Sequence, residues 1–280
     1  MERIAVIGAG TMGRGIAETA ASQGLSVTVV EVNLAQQKTA QEQIRKSVEK
    51  GIQRGRVTAA SPDEVLNRIQ FQDQLSSVAS ASFVIEAVPE IEELKASLFK
   101  QLDELCAPEV ILASNTSSIS ITRLGQMTRR PTKVVGMHFF NPVPIMAPVE
   151  IVRGAETSEA TLQETRQLAE RMGKQALVVA DRPGFVVNRV LMPMINEAVW
   201  ALSENVADAA TIDSLMKLGC NHPMGPLELA DLVGLDVCLS ILDVLHRDLK
   251  NEKFRPCPLL RELVEEGKLG RKSKAGFYSY

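Results

Sequence analysis

The chain has 280 residues, 45% hydrophobic and 23% charged, with a formal net charge of −3. That is enough apolar material for one or two packed cores. The mild acidity gives no broad electrostatic footprint for nucleic acid or an anionic membrane.

Cys106, Cys220, Cys238 and Cys257 form no CxxC pair, so neither a metal site nor a redox dithiol is expected, and a reducing compartment suits them. No apolar run reaches the length of a membrane helix. The N-terminus lacks the basic and apolar regions of a secretion signal. A cytoplasmic protein with no membrane or nucleic-acid partner is the expectation.

In chain order, "RIAVI" (3–7) reads as a buried strand, "GAGTMG" as a turn and "RGIAETAASQG" as a helix ended by Gly24. "LSVTVVEV" is the next strand. Strand, glycine turn, helix and strand within about thirty residues make a βαβ unit. Helix formers dominate 34–56, and "SPDEVLNRI" (61–69) reads as a second helix with Ser61 as N-cap and Pro62 at its first position. These helices, about 34–67, interrupt the alternation and are read as an insertion. Strands resume at "ASFVIEAV" and "EVILASN", with a helix near 91–105 between them. "TKVVGMHFF" and "APVEIV" are two more, and a helix near 158–172 leads to "QALVVA". The fold expected is α/β, with a mainly parallel sheet covered on both faces.

After "DRPGF" (181–185) only helical periodicity is found, at about 186–204, 208–218, 226–232, 235–249 and 258–266. Two domains are therefore expected, 1–183 and an all-helical 184–280, with the Pro-Gly pair at the hinge.

Gly8, Gly10 and Gly13, with Thr11 and Met12 between the last two, form G-x-G-x-x-G after a strand and at the start of a helix. That context suits a dinucleotide pyrophosphate on the helix N-terminus; a tight turn without a ligand is the alternative. Glu31 ends the second strand, where a carboxylate accepts from ribose hydroxyls and repels a 2′-phosphate. It favours NAD over NADP, a solvated strand-end acid being the alternative.

His138 ends the strand "KVVGMH", and Pro142, Pro144 and Pro148 stiffen the next segment. If "APVEIV" returns beside that strand, Glu150 approaches the ring and selects its tautomer, the arrangement of a general base with an orienting acid. A strand-end histidine satisfied by local hydrogen bonds fits the same residues. Asn115, Thr116, Ser117 and Ser118 of "ASNTSSISI" suit cofactor and substrate contacts, or helix capping. Asn188, in the first turns of the long helix, suits a substrate carbonyl or a helix–helix contact.

With "EAVPEIEELK", "SNTSS", "HFFNPVP", "RPGFVVNR", "HPMGPLELADLVGLD" and "GRKSKAGFY" added to the glycine motif, the whole chain resembles the 3-hydroxyacyl-CoA dehydrogenases, above all the short bacterial 3-hydroxybutyryl-CoA dehydrogenases. The resemblance implies a Rossmann-type first domain, an NAD-dependent enzyme interconverting 3-hydroxyacyl-CoA and 3-oxoacyl-CoA, and a homodimer formed through the helical domain. It puts catalysis on His138 and Glu150 and substrate-oxygen contacts on Ser117 and Asn188. NAD contacts fall on Glu31, Glu90, Lys95, Asn141 and Lys272, with Asn115 a further neighbour. In the insertion the match is weakest: no serine is paired with the family's, and Lys50 and Arg54, then Arg56, are the candidates for the CoA nucleotide. A related hydroxy-acid or sugar-acid dehydrogenase and a non-catalytic NAD-binding subunit are the alternatives.

Overall fold

The computed structural model describes residues 3–280. They divide into two compact units, one ending at Asp181 and one from Arg182 to Tyr280.

The first unit is built on eight strands: β1 (Arg3–Ile7), β2 (Ser26–Val30), β3 (Ile69–Gln72), β4 (Phe83–Glu86), β5 (Ile111–Ser114), β6 (Val134–Phe139), β7 (Pro148–Arg153) and β8 (Gln175–Ala180). Their order in the sheet is β3-β2-β1-β4-β5-β6-β7-β8. Pairing is parallel throughout except between β6 and β7. The continuous apolar runs of β1 and β4 are what strands buried on both faces require. Helices α1 (Thr11–Ser22), α4 (Glu92–Leu105), α5 (Ile121–Gln126) and α6 (Glu159–Arg171) accompany the sheet.

The insertion departs from expectation. Helix α2 (Leu34–Gln53) is capped by the Asn33 side chain, which accepts from the N–H groups of Ala35 and Gln36. It stops at Arg54, the C-cap, ahead of Gly55 at φ +65°, so the helix expected to reach Arg56 is shorter. Helix α3 spans only Pro62–Leu66, with Ser61 accepting from Glu64 N as expected. Ile69, expected to be helical, opens β3, an edge strand absent from the sequence-based expectation. "IQFQ" alternates at a strand's period, but four residues are too few to show it without their partner β2.

The second unit comprises α7 (Val187–Ser203), α8 (Ala209–Gly219), α9 (Pro226–Val233), α10 (Leu235–Leu249) and α11 (Pro258–Glu265). Met192, Ile195, Val199, Leu227, Leu235, Leu242, Leu245 and Leu260 form its core. The terminal "GRKSKAGFY" folds onto α9: Asp231, 1% exposed, accepts from Phe277 N and Tyr278 N at 3.0 Å each. A Cβ at Gly276 would lie 2.0 Å from the Asp231 carboxylate, so that glycine is needed for the tail to close.

Candidate active site

The glycine turn joins β1 to α1. A Cβ on Gly13 would lie 1.9 Å from the Gly8 carbonyl oxygen, so any side chain there would push the helix off the strand. At Gly10, the N-cap of α1, a Cβ would meet nothing within 4 Å and no side chain caps the helix. The open N–H groups and the partial positive charge of the helix start suit a pyrophosphate. Glu31 follows β2 and accepts from Ala9 N at 3.1 Å and Asn33 N at 3.0 Å. Its carboxylate is thus held against the glycine turn, where ribose hydroxyls would be met. These residues fit NAD.

His138 and Glu150 are register partners on β6 and β7. The ring Nδ1 is 2.7 Å from Glu150 Oε2, with the two residues 7% and 3% exposed. An ionised carboxylate only accepts, so Nδ1 carries a hydrogen toward Glu150. The Phe140 ring packs against the imidazole, with centroids 4.8 Å apart. Asn115 accepts from Phe139 N at 3.0 Å and thereby ties β6 to the end of β5 just beyond the histidine.

Ser117 belongs to a loop organised by carboxylates. Glu90 Oε1 accepts from Thr116 Oγ1 at 2.5 Å and from the N–H groups of Ser117 and Ser118 at 2.8 and 3.1 Å. Both serine hydroxyls also reach it, at 3.2 Å. Lys95, 1% exposed, donates to Glu86 Oε1 at 2.6 Å and lies 3.1 Å from Glu90 Oε2. Glu86 completes the set by accepting from Ser114 Oγ at 2.6 Å and Val88 N at 2.8 Å. Desolvation works to raise the Glu90 carboxyl, but the Lys95 ammonium and the bonds from Thr116 and Ser117 outweigh it and hold the carboxyl below its ordinary value. Sequence reasoning missed Glu86 because "FVIEAV" reads as a buried strand. The signal was there: an acid in such a strand needs a partner.

The insertion residues border two cavities beside the β6–β7 loop. One, about 310 Å³, is lined by Lys46, Ser47, Lys50, Thr11, Glu18 and Asn141, among others. The other, about 130 Å³, is lined by Lys50, Arg54, Arg56, Glu18 and Ser47, among others. The four basic residues are therefore brought together, with Arg54 at the C-cap of α2, where its N–H still bonds Lys50 O. Ser47, which sequence reasoning also missed, lies in both linings and donates to Glu18 at 2.6 Å.

Asn188 and Lys272 belong to the second unit. Asn188 opens α7 and is buried. Lys272 Nζ is 2.5 and 2.6 Å from the carboxylate oxygens of Asp236. A larger cavity of about 620 Å³ is lined by Ser80, Ser82, Glu109 and Lys133, at the opposite ends of the central strands. It borders none of the candidate site residues, so size does not locate the chemistry. Among the described residues no cluster of histidine, cysteine and acids could hold a metal ion.

Residues 3–182 match the NAD binding domain of 3-hydroxyacyl-CoA dehydrogenase, and residues 184–280 match its C-terminal domain. The chain belongs to the 3-hydroxyacyl-CoA dehydrogenase family. It is 50% identical over 280 residues to a probable 3-hydroxybutyryl-CoA dehydrogenase of Bacillus subtilis, covering 100% of this chain and 98% of that one. It is 46% identical to the 3-hydroxybutyryl-CoA dehydrogenase of Bradyrhizobium diazoefficiens, covering 100% and 96%. The crystal structure of (S)-3-hydroxybutyryl-CoA dehydrogenase from Ralstonia eutropha superposes with a TM-score of 0.96 at 44% identity, covering 100% of this chain and 99% of that one. The dehydrogenase is thus an NAD enzyme whose first unit carries the cofactor site. Among its described residues no helix is long and apolar enough to cross a membrane.

Proposed function

We propose that the enzyme interconverts (S)-3-hydroxybutyryl-CoA, or a close short-chain 3-hydroxyacyl-CoA, with the 3-oxoacyl thioester, with His138 as general base. The observation that carries this reading is the 2.7 Å contact of His138 Nδ1 with Glu150. With Nδ1 turned to the carboxylate, Nε2 is assigned to take the hydroxyl proton as the carbonyl forms, while Glu150 stabilises the imidazolium. NAD, when bound, supplies the hydride acceptor. Gly10 and the start of α1 hold its pyrophosphate and Glu31 its ribose; Glu90, Lys95, Asn115, Asn141 and Lys272 remain the further contacts that the family resemblance implies.

Ser117 and Asn188 are assigned to the substrate oxygens. Lys95 also braces the Ser117 loop, because its ammonium meets both Glu86 and Glu90. The cavities bordered by Lys46, Lys50, Arg54 and Arg56 are assigned to the CoA nucleotide, because an acidic protein must hold a polyanion with local positive charge. A homodimer through the second unit is part of the same reading. It is supported by the outward-facing Val190, Leu215 and Leu218, which are 66%, 62% and 86% exposed. All four cysteines are unpaired, which supports a cytoplasmic site.

Mixing protein, NADH and acetoacetyl-CoA and following absorbance tests the reading. NADH consumption that needs the thioester supports it. Turnover of free hydroxy acids instead would replace it with the hydroxy-acid alternative.

A further inference from the structure

Glu18 has no part in the hydride-transfer chemistry, yet it is a carboxylate only 4% exposed beneath a basic groove. It sits on α1, between the glycine turn and the insertion. It lines both the 310 Å³ and the 130 Å³ cavities, together with Ser47 and Lys50. From α2, Ser47 Oγ donates to it at 2.6 Å. Lys46 and Lys50, and beyond them Arg54 and Arg56, border the same space. The charges of Arg14, four residues earlier on the same helix, and of Lys174, just ahead of β8, also act on it. Lys174 Nζ is itself committed to the carbonyl oxygens of Val143 at 2.5 Å and Met146 at 2.8 Å. It therefore holds the β6–β7 loop and is not spent as a direct ion pair on Glu18.

A buried acid without a close cation is costly to ionise. Burial pushes the Glu18 carboxyl up to about 7, against the opposing influences of the Ser47 bond and the charges of Arg14 and Lys174. Burial likewise lowers the Lys174 ammonium, which Glu18 partly restores. Near neutrality Glu18 thus changes the charge beneath the groove by one unit. A polyanion bound above an ionised carboxylate is repelled by it; above a neutral one it meets only the lysines and arginines.

We propose that Glu18 couples binding of the CoA nucleotide to proton uptake, its carboxyl taking a proton as the nucleotide binds. The proposal rests on assigning these cavities to CoA. By linkage, a ligand that prefers the protonated form raises the affinity of that proton. Glu18 is neutral below about pH 7 and ionised above it, so thioester affinity falls as pH rises through that value. A preference of about three- to tenfold for the protonated form is the scale expected of one charge at this range in a partly screened groove. The phosphate monoester of CoA acts in the opposite sense. Its second ionisation lies near pH 6, and a basic groove favours the dianion, so binding through phosphate alone releases a proton.

Calorimetric titration of the full-length protein with coenzyme A, at pH 7 in buffers of different ionisation enthalpy, reads this directly. Net proton uptake is expected for the wild type and its loss for Glu18→Gln. Ser47→Ala removes a bond to the ionised form and should move the uptake to higher pH. Net release by the wild type, or uptake unchanged in Glu18→Gln, would overturn the proposal. The wild-type result and Ser47→Ala keep it testable even if Glu18→Gln folds poorly. A Lys50→Ala/Arg54→Ala variant separates the two levels. If that variant binds CoA as tightly as the wild type, the assignment of the groove fails. If it binds weakly while the wild type takes up no proton, the assignment stands and the role of Glu18 fails.

Discussion

His138 and Glu150 meet because they stand directly opposite each other on an antiparallel strand pair in a sheet that is otherwise parallel in its pairing. The reversal at β7 brings a carboxylate twelve residues away in sequence to 2.7 Å from the imidazole, and the ladder holds both backbones. Replacing His138 with Gln should lower kcat by about 10²–10⁴-fold, the usual worth of a general base. NADH affinity, read by fluorescence titration, should stay within about twofold, because the glycine turn is a separate structure. Glu150→Gln should also slow turnover and should displace the pH profile. Near-normal turnover of either variant would remove that residue from the catalytic pair.

Lys95 and Glu86 are 1% and 0% exposed and 2.6 Å apart. Removing one partner strands the other charge away from water, at a cost of about 3–5 kcal/mol. Lys95→Met should therefore lower the denaturant midpoint strongly in equilibrium unfolding. Whatever folds should show weaker substrate binding as Glu90 loses its ammonium and the Ser117 loop its anchor. A change in unfolding free energy below about 1 kcal/mol would show that the pair does not brace the loop.

Glu31 already holds the glycine turn through Ala9 N and Asn33 N, so its charge is fixed where an adenosine ribose would lie. Steady-state kinetics with both cofactors should favour NADH over NADPH by at least about tenfold, since a 2′-phosphate would meet this carboxylate. Equal use of the two would show that the ribose lies elsewhere.

Lys50→Ala with Arg54→Ala should raise KM for acetoacetyl-CoA several-fold more than KM for NADH, and the effect should shrink in high salt, as the screening length falls from about 10 Å at about 0.1 M to about 3 Å at about 1 M. A thioester without the adenosine 3′-phosphate should be nearly indifferent. Equal losses with both thioesters would show that these residues do not hold the nucleotide.

Light scattering at micromolar concentration should give the mass of a dimer. Leu218→Glu, at a position 86% exposed in the single chain, should shift it toward monomer. A wild-type monomer would refute the dimer, and an unaffected dimer would place its interface away from this end of α8.

The sequence alone determined what local pattern can encode. "GAGTMG" between a strand and a helix carries its own turn, and the apolar periods of 186–249 carry α7 to α10, because backbone preference and side-chain spacing act over a few residues. His138 and Glu150 were legible together because a proline-stiffened loop between two strands suggests a hairpin. Tertiary structure decided which charge faces which. Lys95 could be assigned to a cofactor from its motif, but only packing shows its ammonium spent on Glu86 and Glu90. Asn115 could serve ligand or cap, and the fold gives it Phe139 N. Glu18 has the sequence context of an exposed helix acid, and only the closure of α2 and the β6–β7 loop buries it; β3 is invisible until β2 supplies its partner. Hydrogen bonding and desolvation depend on atoms brought in from distant segments, so neither a buried charge nor an edge strand has a signature in its own few residues.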